Sequence, residues 1–224
     1  MRKKTELSED HLKEVRRRVL NSTKTLLVQY GYKRTTIRMI VEKSGVLIGS
    51  IYYIFKNKED IFQSLILEMV QHGIAKIEER CPDETPAFRL AAICELELKE
   101  MEAAPIIRDV YKEGYDSNIV FEHMVSQFVL LAHHIFDGTE LEATEAEYYE
   151  RMLLIKGAMR ACIAELYFEQ THDHVRSRAE LMALALNLFH VPSLAVHQII
   201  ARIEEKEELW LAIANDLAMR PIGE

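Results

Sequence analysis

The chain has 224 residues, of which 49% are apolar and 29% charged, and its net charge is −8. This composition is typical of a globular protein with a sizeable buried core and excludes a largely disordered chain. Eight glycines and five prolines are too few for the many tight turns of an all-β fold.

The charges are divided unevenly along the chain. Residues 1–60 contain 14 Lys and Arg against 7 Asp and Glu, whereas residues 61–224 contain 14 against 29. A basic N-terminal part attached to an acidic remainder indicates a local contact with a polyanion such as nucleic acid. Chance clustering of solvated charge is the alternative, and the asymmetry alone does not separate the two.

Signals for export or membrane insertion are absent from the sequence pattern. The basic start, Met1 to Glu6, has no apolar stretch behind it, so we expect no signal peptide. The apolar run Phe128 to Leu131 is soon followed by His133 and His134, so we expect no membrane span. Three widely spaced cysteines without a CxxC pair fit a reducing compartment. We therefore expect a cytoplasmic protein without membrane contact.

The first predicted helix has an apolar stripe at steps of three and four residues. Its members are Leu12, Val15, Val19, Thr23, Leu26 and Tyr30. Gly31 is expected to end this helix, because glycine tolerates the left-handed conformation that commonly closes a helix.

Three further helices are predicted directly after it. Thr35 is expected to cap a second helix that ends near Gly45. A third helix follows almost at once, with Ile51 and Phe55 on its inner face. Asn57 is expected to cap a fourth helix, whose first turn is acidic and therefore complements the helix dipole. The fourth helix is long enough to connect two domains.

The remainder of the chain is also predicted to be helical. Turn-like breaks separate its segments, and none shows the alternation of a strand. We predict an all-α fold of about nine or ten helices. Residues 1–60 would form a three-helix helix-turn-helix DNA-binding domain, and residues 61–224 a helical effector-binding and dimerisation domain.

Two short helices joined by a tight glycine turn are the arrangement of a helix-turn-helix. Gly45 permits the turn, and Val46 fills the space between the two helices. The third helix then keeps an exposed face that can enter a major groove.

Residues 15–67 resemble the DNA-binding domain of the TetR (tetracycline repressor) family. The matching segments are Gly31-Tyr32, Thr35 to Arg38, Gly45-Val46, Gly49 to Tyr53 and Phe55 to Asp60. The aromatic pair followed by Lys-Asn-Lys makes this resemblance highly specific. It implies a transcriptional repressor, not an enzyme, that binds a palindromic operator as a homodimer and is released by a small-molecule ligand.

The resemblance implies two kinds of DNA contact when it is carried over residue by residue. Phosphate contacts are implied for Thr36, Arg38, Tyr52 and Lys58, with Lys56 close enough to help. Positions that face base edges are Ile48, Gly49, Ser50 and Tyr53.

Two residues of the recognition helix depart from the family pattern. Leu47 stands where Ser or Thr is usual, so the helix lacks its expected cap, and Ile54 stands where His is common. With Ile48 they leave a recognition helix that has no Arg or Lys to bind guanine. We expect an A·T-rich operator read through thymine methyl groups and DNA shape, with basic residues 2–4 reaching a minor groove. Burial of Leu47 and Ile54 inside the domain is the alternative.

The resemblance also implies that the residues beyond about 80 bind a small, largely apolar effector. Candidate residues for an apolar cavity are Met101, Tyr111, Tyr115, Phe121, Met124, Phe128, Met152, Met159 and Cys162. Methionines and aromatic residues at helical spacing are more often ordinary core, which is the alternative for each of them.

Two apolar stripes are candidates for the dimer interface. The first contains Leu153, Gly157, Ala161, Ala164 and Phe168, whose small members would let another helix approach closely. The second includes Ile200, Ile203, Trp210 and Ile213. Each stripe has the alternative of facing the core of its own subunit.

The sequence provides no motif for catalysis, a cofactor or a metal. It contains no Gly-rich phosphate loop and no HExxH, CxxC or GxSxG motif, and the abundant carboxylates are interpreted as solvated helix faces. One alternative to a ligand-released repressor remains, a DNA-bound interaction module that recruits a protein without a small-molecule effector. An exposed apolar patch over a packed core would favour it, and a cavity of ligand size would oppose it.

Overall fold

A computed structural model of the chain describes residues 9–103, 105–169 and 174–221. Over these residues the structure contains eleven helices and no strand. The predicted all-α class is therefore confirmed, with slightly more helices than the predicted nine or ten. Basic residues 2–4, which we expect to reach a minor groove, lie outside the described residues.

The N-terminal part of the fold consists of three helices followed by a long connecting helix. These are α1 (Glu9–Arg34), α2 (Ile37–Ser44), α3 (Ile48–Ile54) and α4 (Lys58–Arg80). Gly31, with a φ of 72°, interrupts the helical path of α1 near its end. Gly45, with a φ of 64°, closes α2. Both glycines stand where the sequence predicts a left-handed residue.

The caps of these helices explain where each one begins. The N-cap of α2 is Thr36, whose hydroxyl accepts a hydrogen bond of 3.3 Å from the backbone N–H of Met39. The predicted cap, Thr35, is wrong by one residue. Its side chain is buried and donates to the carbonyl of Gly31 instead. Asn57 caps α4 as predicted, because its side chain accepts from the backbone N–H of Asp60 at 2.8 Å.

A small apolar core holds α2 and α3 against α1. Its buried members include Val19, Leu20, Ile40, Val46, Ile51 and Phe55. The turn between α2 and α3 is fastened by Arg18, whose guanidinium donates to the carbonyl of Ser44 at 2.6 Å. The orientation of α3 therefore follows from one glycine turn and from side chains that α1 provides.

Seven further helices form the rest of the chain. They are α5 (Pro86–Ala103), α6 (Pro105–Asp116), α7 (Asn118–Phe136), α8 (Glu145–Glu165), α9 (His174–Leu188), α10 (Ser193–Glu204) and α11 (Glu207–Met219). The central helix is α5, because α4, α6, α7, α9, α10 and α11 all pack against it. All residues of the segment 90–101 are buried.

The burial of α5 contradicts one expectation from the sequence. The carboxylates of the regulatory half are not all on solvated faces, since Glu95, Glu97 and Glu100 lie inside the bundle. Lys99 is buried with them, and its ammonium group forms an ion pair of 2.6 Å with Glu207 of α11. A helix that is covered on all sides has no solvated face on which to place its charges.

Helix α1 is attached to the regulatory helices at two points. Lys33, near the end of α1, forms an ion pair of 2.8 Å with Glu113 of α6. Lys24, on a buried part of α1, donates to the carbonyls of Leu217 and Arg220 at the end of α11. A cation at this position satisfies helix C-terminal carbonyls that would otherwise lack donors.

Helix α7 is long and apolar enough by length and composition to cross a membrane, with a mean hydropathy of 1.3 over its most apolar window. The sequence pattern predicts no such segment. Half of that window is buried inside the bundle, where α7 packs against α4, α6 and α8. Most of its apolar residues therefore form part of the core, whereas Ile119 and Leu130 are exposed.

Candidate functional site

Helix α3 presents an unusually apolar surface to solvent. The large exposed side chains are Leu47 (78% exposed), Ile48 (53%), Tyr52 (53%) and Tyr53 (69%). Ile51, on the opposite face of the same short helix, is fully buried. Four neighbouring exposed apolar or aromatic residues on a helix that is anchored from behind indicate a contact surface.

The structure separates the two residues that depart from the family pattern. Leu47 is exposed and belongs to the outer surface of α3, whereas Ile54 is half-buried and packs against the core. Leu47 occupies the N-cap position of α3, where its side chain makes no capping hydrogen bond. Gly49 is exposed and Ser50 half-buried beside it, so the backbone at the start of α3 stays accessible.

Polar groups for phosphate lie beside this apolar surface. Thr36 and Arg38 are exposed at the start of α2, and Lys56 is exposed just before α4. Arg38 pairs only with Glu42 on its own helix, at 3.0 Å in full solvent, an arrangement that contributes little stability. Its guanidinium can therefore exchange the carboxylate for a phosphate at small cost. Unpaired N–H groups at a helix N-terminus favour an anion as well.

Lys58, for which the resemblance implies a phosphate contact, makes contacts within its own domain. Its ammonium group donates to the carbonyl of Tyr32 at 2.8 Å and lies 3.9 Å from the centroid of the Tyr32 ring. Burial lowers the pKa of Lys58, and the nearby carboxylates of Glu59 and Glu113 oppose this shift. Lys58 thus fastens the start of α4 to the end of α1, and its phosphate contact stays a prediction.

Comparison with known proteins connects this surface to a family. Residues 19–65 match the family model of bacterial regulatory proteins, tetR family. Two curated relatives are an HTH-type transcriptional repressor of Mycobacterium tuberculosis, 34% identical over 62 residues, and the fatty acid metabolism regulator protein of Bacillus subtilis, 31% identical over 75 residues. These matches cover 28% and 34% of this chain, and they span 33% and 39% of the relatives.

The N-terminal part of this chain is similar to the DNA-binding domain of TetR-family transcriptional regulators. The overall fold of the chain is similar to that of RolR, a solved structure in complex with the ligand resorcinol, with a TM-score of 0.58. This match covers 96% of this chain and 98% of RolR at 15% identity. It supports the fold alone, whereas the family model matches residues 19–65.

The helices beyond α4 contain a buried group of charged and hydroxyl side chains. Lys156 of α8 donates to the Oε2 atom of Glu97 at 2.6 Å, and both side chains are almost fully buried. The Lys156 nitrogen also lies 3.0 Å from the centroid of the Phe128 ring. Burial lowers the pKa of Lys156, and the Glu97 carboxylate opposes that shift. Residues 97 and 156 come together only because α5 lies at the centre of the fold.

A second buried carboxylate lies next to this ion pair. Tyr111 donates its hydroxyl hydrogen to Glu100, and burial raises the pKa of Glu100 to about 8. Two polar atoms of the same region have no hydrogen-bond partner within the described residues. They are the Oε1 atom of Glu97 and the hydroxyl oxygen of Tyr115. Since buried polar groups are nearly always paired, this is the most unusual part of the interior.

The candidate pocket residues fall into two sets. Tyr111, Tyr115, Phe121, Phe128 and Cys162 surround or adjoin the buried polar group, and Met124 lines a small cavity next to Phe128. Met101, Met152 and Met159 are fully buried and line neither of the two small cavities beside α4. Ordinary core packing accounts for these three methionines.

Sequence reasoning missed Glu97, Glu100 and Lys156, the charged members of this site. One signal was available, because the charged residues of α5 are spread around the helix and leave no polar face. A helix of that pattern has to bury some charges if it is central to a bundle.

The two candidate dimer stripes have different environments. On α8, Leu153, Gly157 and Ala161 are exposed and Ala164 is half-buried, and Phe168 is exposed in the turn that follows the helix. Beside this stripe, an open groove of about 790 Å³ runs between α8 and α9.

Most of the second stripe is covered by its own chain. Ile203, Trp210 and Ile213 are buried in the core of their own chain, and Ile200 packs against that core. Trp210 donates to the carbonyl of Ile203 at 2.8 Å. For Ile203, Trp210 and Ile213 the assignment to an interface is therefore corrected, since helical spacing reveals an apolar face but not which core covers it. Ile200 is half-buried, and its place in an interface stays a prediction.

Proposed function

We propose that this protein is a transcriptional repressor that binds a palindromic operator as a homodimer and is released by a small-molecule ligand. The main support for this proposal is the exposed apolar and aromatic face of α3, which Ile51 anchors and which Arg38 and Lys56 flank. The acidic regulatory part repels DNA, so the basic N-terminal part sets the direction of approach. Such a protein would act in the cytoplasm, where bacterial DNA lies.

The exposed side chains of α3 favour an A·T-rich operator. Leu47 and Ile48 are apolar and exposed, and the helix carries no Arg or Lys for a bidentate contact with guanine. Apolar side chains contact the methyl group of thymine in the major groove. Tyr52 and Tyr53 add hydroxyl groups that reach phosphates or base edges. Arg38 and Lys56 would hold the protein on the backbone without reading sequence.

The partner subunit would bind to the exposed stripe of α8. Leu153 and Phe168 are exposed together with Leu184 of α9, and Gly157 and Ala161 lie between them on α8. Small residues let two helices approach closely, and a two-fold pair of subunits matches a palindromic site.

Helix α4 would connect ligand binding to DNA binding. It starts at Lys58, close to the end of α3, and reaches the regulatory core through Phe62 and Ile66. A methyl group added at Gly114 of α6 would lie 3.3 Å from both of those side chains. A ligand that moves α4 or α6 therefore changes the separation of the two recognition helices. Half-sites one helical turn apart require about 34–36 Å, so another separation weakens binding.

A second candidate function is a DNA-bound module that recruits a protein. An apolar groove of about 300 Å³ between α4 and α7, bordered by the exposed Leu130, favours it. In that case operator binding would be insensitive to small molecules, and Leu130→Asp would abolish recruitment without changing operator affinity.

The proposed function is tested by selecting fragmented source-genome DNA with the purified protein at low salt, where phosphate contacts are strongest. Tyr52→Ala is the test variant, and Leu194→Ala, a similarly exposed apolar position on α10, is its control. We expect a palindromic site that the wild type and Leu194→Ala enrich and that Tyr52→Ala loses. Absence of any enriched site, or equal enrichment by Tyr52→Ala, would contradict the proposal.

A further inference from the structure

Lys33 is a strongly exposed cation at the corner where α1 leads into α2. Its side chain is 84% exposed. Gly31 interrupts the helical path of α1 shortly before it, and Thr36, the N-cap of α2, follows shortly after it. The family resemblance implies a phosphate contact for Thr36 and leaves Lys33 without a role.

A second implied phosphate contact, Lys58, adjoins the same corner. The Lys58 ammonium group donates to the carbonyl of Tyr32, the residue directly before Lys33, at 2.8 Å. Lys33 therefore neighbours two positions at which the proposed function puts DNA phosphates. A lysine ammonium group is a compact charge on a flexible stem, so an exposed lysine at this place can reach the DNA backbone.

The ammonium group of Lys33 is paired with a carboxylate of the regulatory part. It lies 2.8 Å from the Oε1 atom of Glu113 on α6, and this hydrogen bond raises the pKa of Lys33. The charge of Asp116, the last residue of α6, acts in the same direction. The acidic end of α6, which consists of Glu113 and Asp116, therefore faces the basic corner of the DNA-binding part.

The two members of this ion pair differ in their freedom to move. Glu113 has a side chain that is only 25% exposed, and the next two residues, Gly114 and Tyr115, are buried. Gly114 lies so close to α4 that a methyl group added to it would be 3.3 Å from the Phe62 ring. The Lys33 side chain is surrounded by solvent and can turn away, whereas the Glu113 carboxylate stays with the packed part of α6.

Lys33 cannot pair with Glu113 and with a phosphate at the same time without a penalty. A carboxylate and a phosphate at one ammonium group bring two negative charges close together, where they repel each other. Asp116 is also negative, and it pairs with Lys112 at 2.6 Å. A DNA phosphate therefore has to draw Lys33 away from α6. Because an exposed ion pair is weak, this exchange is feasible, but it lowers the affinity for DNA by the strength of the pair.

We propose that Lys33 is a further contact to a DNA phosphate and that Glu113 of α6 competes with the phosphate for it. The ion pair is then an autoinhibitory contact between the regulatory part and the DNA-binding part. This inference rests on the proposed function, because it requires that the N-terminal part binds DNA. It concerns the affinity for DNA in general and not the choice of operator, since phosphate contacts do not read sequence.

The test is fluorescence anisotropy of the full chain with a short labelled duplex of mixed sequence, so it does not depend on knowing the operator. Binding is measured between about 50 and 200 mM salt, because phosphate contacts weaken over this range. Lys33→Gln should weaken binding about threefold or more at the lower salt concentration and reduce the slope of log K against log salt by about one. Glu113→Gln should tighten binding about two- to fivefold, the factor that corresponds to one exposed ion pair.

A double variant separates competition from simple repulsion. If Glu113 acts through Lys33, Glu113→Gln has no effect on DNA binding once Lys33→Gln is present. A gain in affinity that persists in the double variant would mean that Glu113 only repels DNA, and it would overturn the inference. Asp83→Asn is the matched control, because it removes one exposed negative charge beyond the opposite end of α4. At that distance the charge is screened, so this variant should bind DNA as the wild type does.

Melting temperatures show whether the variants fold normally. All of them should melt within about 2 °C of the wild type, because exposed ion pairs contribute little to stability. A wild type that binds no duplex at the lowest salt concentration would refute the proposed function together with this inference. If the wild type binds the duplex and either Lys33→Gln or Glu113→Gln binds it equally well, only the inference is refuted.

Discussion

The DNA-binding part and the regulatory part of this protein depart from the usual distribution of side chains in opposite directions. On α3, Leu47, Ile48 and Tyr53 are apolar or aromatic and exposed, and in the regulatory core Glu97 and Lys156 are charged and buried. Exposed apolar surface and buried unpaired polar atoms both raise the free energy of an isolated chain. Each would be relieved by a partner of matching chemistry, which for α3 is operator DNA in the proposed function.

The two regions also differ in how far their contacts reach along the sequence. The turn before α3 depends on Gly45 and on Val46, which are adjacent to the helices they connect. The buried ion pair joins residues 59 positions apart. Neighbouring residues in the sequence therefore predict the turn before α3 well. The buried ion pair forms only when distant helices pack together.

The largest expected effect concerns the buried ion pair. Lys156→Met should lower the free energy of unfolding by about 3–5 kcal/mol, because Glu97 then keeps a buried charge without its cation. Urea unfolding measures the change. The double variant Glu97→Leu/Lys156→Met removes both charges and should recover most of the loss. A Lys156→Met variant as stable as the wild type would show that the buried ion pair contributes little to stability.

The next effect is the pH dependence that Glu100 produces. Its pKa is raised by burial from an ordinary value of 4.5 to about 8, and Tyr111, Glu97, Lys24 and Lys156 face it. The folded state therefore favours neutral Glu100, so this stabilisation is complete below pH 4.5 and is lost as the pH rises through 8.

Glu100→Gln isolates this contribution, because glutamine keeps the shape and does not ionise. Between about pH 5 and pH 8, the wild type should lose as much as roughly 1 kcal/mol of unfolding free energy per pH unit relative to the variant. Thermal unfolding at several pH values measures the difference. Parallel pH profiles of the two proteins would contradict the raised pKa.

A smaller effect is expected on the exposed face of α3. Tyr53→Ala should weaken operator binding at least about tenfold while changing the unfolding free energy by no more than about 0.5 kcal/mol, because the side chain is mostly exposed. Fluorescence anisotropy with the selected operator measures affinity. Ile51→Ala is the counterpart on the buried face and should cost about 2–5 kcal/mol of stability. Loss of stability in Tyr53→Ala would mean that this face belongs to the core.

The smallest effect concerns the missing cap of α3. Leu47→Ser should stabilise the domain by about 0.5–1 kcal/mol, because its hydroxyl can accept from the backbone N–H of Ser50. The same change removes an exposed apolar side chain and should weaken the preference for A·T-rich sites. Leu47→Ala is the control, because it removes the apolar side chain as serine does but adds no hydroxyl group. Equal melting temperatures of the serine and alanine variants would exclude the capping explanation.

The sequence predicted the N-terminal region well because its signals are local. Gly31, Gly45 and Asn57 take the roles that were expected, and Thr35 was misplaced by a single position. Thr35 and Thr36 can both cap a helix, and only the buried contact of Thr35 with the carbonyl of Gly31 separates them.

The regulatory region was predicted less well for a physical reason. Periodicity shows that Trp210 and Leu153 each lie on an apolar face, but it does not show what covers that face. Trp210 is enclosed by its own chain, where its ring lies 6.2 Å from that of Phe88, whereas Leu153 is exposed. Both outcomes are compatible with the same spacing along a helix.

The amino-acid sequence by itself determined the all-α class and the helix-turn-helix, because caps, turns and apolar stripes depend on neighbouring residues. The tertiary structure decided that α5 is central and that Glu97, Lys156 and Tyr115 share one buried site. Burial depends on how many elements surround a helix, and the chemistry of a single segment does not contain that information.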